Sequence, residues 1–135
     1  MNALGTRRLA GVHVLVVDDD EDMRFVTRVT LGSQGAIVTE AASAREALDV
    51  LRHERPDVLV SDLSMPPGED GYWLIGAVRA LSVADGGGTP AAALTGHVTA
   101  EDRARVLRAG FQHHIAKPVD PERLIGVVGI LALKA

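Results

Sequence analysis

The chain has 135 residues, of which 47% are hydrophobic and 24% charged, enough for one domain with a buried core and too apolar for a disordered polymer. Its 14 basic and 18 acidic residues leave a formal net charge of −4, which excludes the basic footprint of a nucleic-acid binder, and the absence of cysteine excludes disulfides and thiolate metal sites. The opening MNALGTRRLAG has two arginines but no long apolar stretch behind them, so neither a signal peptide nor a membrane span is expected and a cytoplasmic setting is.

Short apolar runs alternate with helical patterns. Residues 1–11 read as a leader and 12–133 as one domain. Val12–Val17 is short and β-branched and predicts a buried strand. A helix follows over Asp20–Gly32, with Val26 and Val29 at helical spacing and acids in its first turn, where the helix dipole favours them. Ala36–Glu40 predicts a second strand. Ser43 and Glu46 form a capping-box pattern for a helix reaching about His53. Asp57–Ser61 predicts a third strand, and Leu74, Ile75, Val78 and Leu81 place one apolar face on a helix over Tyr72–Leu81. At least one of Tyr72 and Trp73 is expected in the core.

Residues 84–89 read as a flexible loop, with Gly86–Gly88 as a hinge-like linker because they lack the lysine of a phosphate-binding loop. Pro90–Leu94 predicts an alanine-rich fourth strand, Thr99–Asp102 opens a helix that Gly110 ends, and His113–Ala116 predicts a short fifth strand. Asp120 and Pro121 open a last helix, as cap and first-turn proline. Five βα units with strands apolar on both faces predict an α/β fold: a five-stranded parallel sheet, doubly wound and flavodoxin-like, with helices on both sides.

In such sheets ligands bind beyond the carboxyl ends of the strands. The expected strands end in Asp18-Asp19-Asp20, Glu40-Ala41, Asp62, Thr95 and Lys117-Pro118. Clustered carboxylates repel one another unless a cation neutralises them, and oxygen ligands suit Mg²⁺. An aspartate, a divalent metal, a lysine and a threonine are the parts of a site for phosphoryl transfer onto a carboxylate.

The series VLVVDDD, SDLSMP, ALTG and AKPVD resembles the receiver domain of bacterial response regulators, the CheY-like family, over about Val12 to Leu131. The resemblance implies a phosphorylatable switch of two-component signalling, not a conventional enzyme, that catalyses its own aspartyl phosphorylation and dephosphorylation. It implies Asp62 as phospho-acceptor, with Mg²⁺ on Asp19, Asp62 and the Ser64 backbone carbonyl, and Asp18 assisting. It also implies Lys117 as partner of the acceptor and then of a phosphoryl oxygen, through a Lys117–Pro118 bond that is commonly cis, and Thr95 as the hydroxyl that reports the phosphate. The implied partners are a sensor histidine kinase or a histidine phosphotransfer protein, with no direct nucleic-acid or membrane contact. The implied switching surface is the helix after Thr99, the strand His113–Ala116 and the last helix, which is also a face for a homodimer.

The sequence departs from the family pattern at two places. Met65–Gly71 is one residue longer than the common form, and with LAGVHVLVVDD resembles receivers attached to hybrid kinases. His114 stands where the family often has Tyr or Phe; it reads as a half-exposed strand histidine or as a switch whose charge adds pH sensitivity. Ser64 and His97, two past Asp62 and Thr95, occupy positions that tune water access or serve as ordinary loop residues. The other histidines form no metal-binding pair at i, i+4. Two rival functions are a small Mg²⁺-dependent phosphohydrolase using an Asp nucleophile, suggested by Asp18-x-Asp20 though Asp22 stands where Thr or Val is needed, and a pseudo-receiver that binds partners without phosphorylation.

Overall fold

A computed structural model describes residues 7–97 and 99–133. Five strands, β1 (His13–Val17), β2 (Ile37–Ala41), β3 (Val58–Asp62), β4 (Ala91–Thr95) and β5 (His113–Ala116), alternate with five helices, α1 (Glu21–Gly32), α2 (Ala44–Glu54), α3 (Gly71–Arg79), α4 (Ala100–Ala109) and α5 (Pro121–Ala132). The sheet is wholly parallel in the order β2-β1-β3-β4-β5. This is the doubly wound, flavodoxin-like arrangement expected.

Alternation of side chains along each strand splits the core in two. Leu15, Val17, Leu59, Ala91 and Ala93 meet Ala47 and Leu51 of α2, Leu74, Ile75 and Val78 of α3 and Val106 of α4. Val14, Val16, Val58, Val60, Ala92 and Leu94 meet Leu31 of α1 and Leu124, Val127, Val128 and Leu131 of α5.

Helix starts follow the capping chemistry with two differences. Thr99 and Asp102 form a reciprocal capping box. Ser43 accepts from the Glu46 amide, but the Glu46 carboxylate accepts from the Ala42 amide rather than from the cap residue. Asp120 makes no side-chain capping bond, so Pro121 alone marks that start.

Val26 and Val29 lie outward, 52% and 47% exposed, and α1 buries Thr27 and Leu31 instead. A spacing of three fits two faces of a helix, and Thr27 carries no apolar signal. Leu9, within the segment read as a leader, is fully buried among the α1 and α5 side chains, and its amide donates to the Gln34 carbonyl at 2.9 Å. Burying such a side chain contributes roughly 1.5–3 kcal/mol.

The glycine loop is not a hinge. Val83–Asp85 forms a turn of 3-10 helix, and Gly86, Gly87 and Thr89 are buried. A Cβ on Gly87 would lie 2.1 Å from the Leu81 carbonyl oxygen, so only glycine fits. Arg79 fastens the loop: its guanidinium donates to the carbonyls of Gly87 at 2.9 Å, Thr89 at 2.7 Å and Gly110 at 2.8 Å. Burial pushes the Arg79 pKa down, and these carbonyls take up its donors.

Candidate functional site

The carboxyl edge of the sheet gathers the chemistry. Asp62 and Thr95 are the last residues of β3 and β4, because the ladder continues through them: the Leu63 amide donates to the Leu94 carbonyl and the Lys117 amide to the Thr95 carbonyl. Both strands therefore end one residue later than the apolar pattern suggests.

Asp62 is only 5% exposed, and its Oδ2 lies 2.9 Å from Lys117 Nζ. Its Oδ1 accepts from the Ser64 amide at 3.2 Å, which folds the following loop back onto Asp62. The Lys117–Pro118 bond is cis, and so is Pro66–Pro67. Gly71 is required at this edge: a Cβ there would sit 2.5 Å from the Asp62 carbonyl oxygen, so α3 can begin against the end of β3 only without a side chain.

Asp18 is 1% exposed. Its Oδ1 accepts from the Asp20 amide at 2.9 Å, while Oδ2 is buried without a hydrogen-bond partner. Burial, reinforced by the charges of Asp62 and Asp19 and opposed by that amide and by Lys117, raises the Asp18 pKa from 3.8 to about 6. Carboxylate oxygens of Asp18, Asp19 and Asp62 lie within 4.8 Å of one another, the one such group among the described residues. An orphaned buried oxygen in an all-oxygen donor set fits a hard divalent cation such as Mg²⁺. Asp20 stands apart, capping α1 through the Asp22 and Met23 amides.

Thr95 is 4% exposed, and its hydroxyl oxygen accepts from the His97 amide at 3.0 Å, within its own loop. Asp62, Ser64, Thr95, His97 and Lys117 border one cleft of about 450 Å³. Its far wall includes Tyr72, over whose ring the Arg105 guanidinium stacks at 4.2 Å. Trp73 is covered likewise by Arg45 at 4.9 Å, so both aromatics are half-buried, each packed on the core beneath an arginine rather than enclosed in it.

His114 lies outside this cleft, half-buried on β5. Burial and the charges of Arg103, Arg123 and His113 lower its pKa. The folded state therefore takes up this proton less readily than the unfolded chain. Its contribution to stability is present above the unfolded value of ~6.5 and is lost as pH falls through that value. His114→Phe is expected to lose less stability than the natural chain between neutral pH and about pH 5; urea unfolding at both pH values measures the difference, and equal losses contradict it.

Several residues that build the site carry no sequence signal. Arg24 donates to the Asp18 carbonyl at 2.7 Å and reaches Glu40 at 3.4 Å; Glu40 also meets Arg28 at 2.8 Å. The second strand thus spends its acid on α1 and not on the carboxylate cluster.

A family model described as the response regulator receiver domain matches residues 14–129. A 14.6 kDa protein of Leptolyngbya boryana, encoded 3′ of sodA1, is 50% identical over 120 residues, covering 89% of each chain. "Probable histidine kinase 2" of Oryza sativa subsp. indica is 32% identical over 90% of this chain, which spans 13% of that kinase. The chemotaxis protein CheY4 of Vibrio cholerae superposes with a TM-score of 0.82 at 32% identity, over 90% of this chain and 99% of that one. The chain belongs to the receiver-domain family of response regulators of two-component signalling. No helix among the described residues is long and apolar enough to cross a membrane.

Proposed function

We propose that Asp62 accepts a phosphoryl group from a phosphohistidine on a sensor histidine kinase or a histidine phosphotransfer protein. The observation that carries this reading is the buried Asp62–Lys117 pair at 2.9 Å beside an acid cluster with an unpartnered oxygen. Asp18, Asp19, Asp62 and the Ser64 carbonyl would hold Mg²⁺, which when bound would supply a positive charge against the negative charge that develops on the transferring oxygens.

The carboxylate of Asp62 attacks phosphorus, an O–P bond forms, the N–P bond breaks, and its electron pair returns to the donor imidazole. Lys117 stays near the acceptor and pairs with a phosphoryl oxygen. Water later cleaves the O–P bond and releases orthophosphate. Thr95 is buried and its hydroxyl is bonded only to His97, accepting from the amide at 3.0 Å and donating to the carbonyl at 3.4 Å, so it can turn to the phosphoryl group by giving up these local bonds. Ser64 and His97, at the rim, set the access of water. His114 and the α4-β5-α5 surface carry the change outward.

The donor docks beside α1. This helix follows Asp18–Asp20 directly and exposes Phe25, Val26 and Val29, an apolar strip whose burial would orient an incoming helix. Asp20 is spent on capping α1, which leaves the rival phosphohydrolase without its second aspartate. Beryllofluoride binding separates the switch from a pseudo-receiver: Mg²⁺-dependent uptake is expected in the natural chain and its loss in Asp62→Asn, whereas no uptake in the natural chain contradicts the reading.

A further inference from the structure

The three acids of the carboxylate cluster are held in different ways. Asp62 is fixed by the strand ladder, in register with Leu94, whereas Asp18 and Asp19 lie in the turn between β1 and α1. In that turn the Asp18 amide donates to the Ala41 carbonyl at 3.2 Å and the Asp20 amide to Asp18 Oδ1 at 2.9 Å. The Asp18 carbonyl is taken by a side chain, with Arg24 Nη1 donating to it at 2.7 Å. That carbonyl belongs to the rigid peptide plane that joins Asp18 to Asp19. One bond therefore orients the two residues whose carboxylates meet that of Asp62. Arg24 is itself held. Its side chain is 14% exposed, and Glu40 of β2 meets its Nε at 3.4 Å with one oxygen and Arg28 at 2.8 Å with the other. The Arg28 guanidinium in turn lies 5.1 Å from the centroid of the Phe25 ring. A cation one turn into a helix gains nothing from the dipole, and burying it costs solvation, so the bonds to the carbonyl and to Glu40 are what keep it there.

We propose that Arg24 is a positioning residue for the divalent ion: it does not touch the metal, but it fixes the Asp18–Asp19 peptide so that both carboxylates converge with Asp62. This role rests on the reading that the acid cluster takes Mg²⁺ and adds what orients it. The sign of one substitution separates orientation from charge. A cation beside carboxylates competes with a divalent ion for their field, so a residue that supplies only charge strengthens ion binding when it is removed. A residue that orients the ligands weakens ion binding when it is removed.

The test is calorimetric titration of the natural chain, Arg24→Ala and Arg24→Lys with Mg²⁺, together with amide NMR spectra of each metal-free protein. Arg24→Ala is expected to bind Mg²⁺ about tenfold more weakly, although it has lost a positive charge. Arg24→Lys keeps a donor for the Asp18 carbonyl and is expected to recover the affinity to within about threefold of the natural chain. In the metal-free spectra the Asp19 and Asp20 amides are expected to move in Arg24→Ala and to stay near their natural positions in Arg24→Lys. Should Arg24→Ala fold poorly, Arg24→Met keeps the length of the side chain without its donors and carries the same expectations. Unchanged or tighter Mg²⁺ binding in the folded alanine or methionine variant overturns the inference alone, as does a loss of affinity that lysine does not recover. A natural chain that takes up no Mg²⁺ overturns the metal reading and the inference together.

Discussion

Lys117→Ala is expected to slow phosphoryl transfer to the chain by about 10²–10³-fold while tightening its hold on Mg²⁺. The two effects have one cause. Lys117 Nζ lies 2.9 Å from the buried Asp62 carboxylate, with its own side chain about one-third exposed. In the resting protein it is a positive charge beside three acids, and so it competes with a divalent ion for their field. In the proposed transfer it would be a preorganised cation aimed at oxygens on which negative charge accumulates, and such groups have their largest effect in a water-poor site. Removing it deepens the negative potential for the ion and takes away stabilisation of the transition state. A merely structural lysine would weaken both functions together. Rates from a phosphodonor assay with Mg²⁺ affinity from calorimetry decide the matter; a rate within a few-fold of the natural chain contradicts the role.

Asp18→Asn is expected to stabilise the metal-free protein at neutral pH by about 1–3 kcal/mol and to abolish the stabilisation that Mg²⁺ confers on the natural chain. Asp18 is buried, one of its oxygens has no partner, and its pKa rises from 3.8 in the unfolded chain to about 6 in the folded one. A rise of that size corresponds to about 3 kcal/mol against the ionised form. The sign follows directly. The folded state holds the proton more tightly than the unfolded state, so native stability declines as pH rises from about 4 to about 6 and the full penalty stands above that. Asparagine keeps an oxygen for the Asp20 amide and removes the charge. Its advantage is therefore small near pH 4 and largest at neutral pH. Denaturation of both proteins across this range, with and without Mg²⁺, measures it; a variant less stable than the natural chain at every pH would contradict the charge argument.

Much of the fold is legible because the buried inner strands β1 and β3 leave short β-branched runs, while alanine-rich β4 and the partly exposed edge strands β2 and β5 are marked by their place between helical patterns. The gathering of Asp18, Asp19, Asp62, Thr95 and Lys117 follows from strand order alone, since every βα unit returns the chain to the same edge. The strand ends at Asp62 and Thr95 were less legible, because backbone ladders continue past the last apolar side chain. Arg24, Arg79, Arg45 and Arg105 were not legible. A long side chain with a charged tip follows no periodicity, and its partners are carbonyls or ring faces that only tertiary structure assembles. Leu9 was hidden by its polar neighbours. The Gly86–Gly88 turn is a close approach and not a hinge, and the sequence cannot separate the two because glycine marks either as readily.

The tuning residues divide in the same way. Ser64 is fixed by Asp62 through its amide, and His97 by the Thr95 hydroxyl, so both lie in the cleft at positions set by the two residues they would modulate. His114 has no such tie to the cleft. Its neighbours are arginines of the flanking helices, which places it with the outer surface.

The most direct measurement is intact and fragment mass spectrometry of the chain after incubation with Mg²⁺ and a small phosphodonor. One added phosphoryl group, located on Asp62 and absent from Asp62→Asn, is the expected result. A phosphoryl group on Asp18, or none in the presence of a donor and the metal, contradicts the assignment of the acceptor.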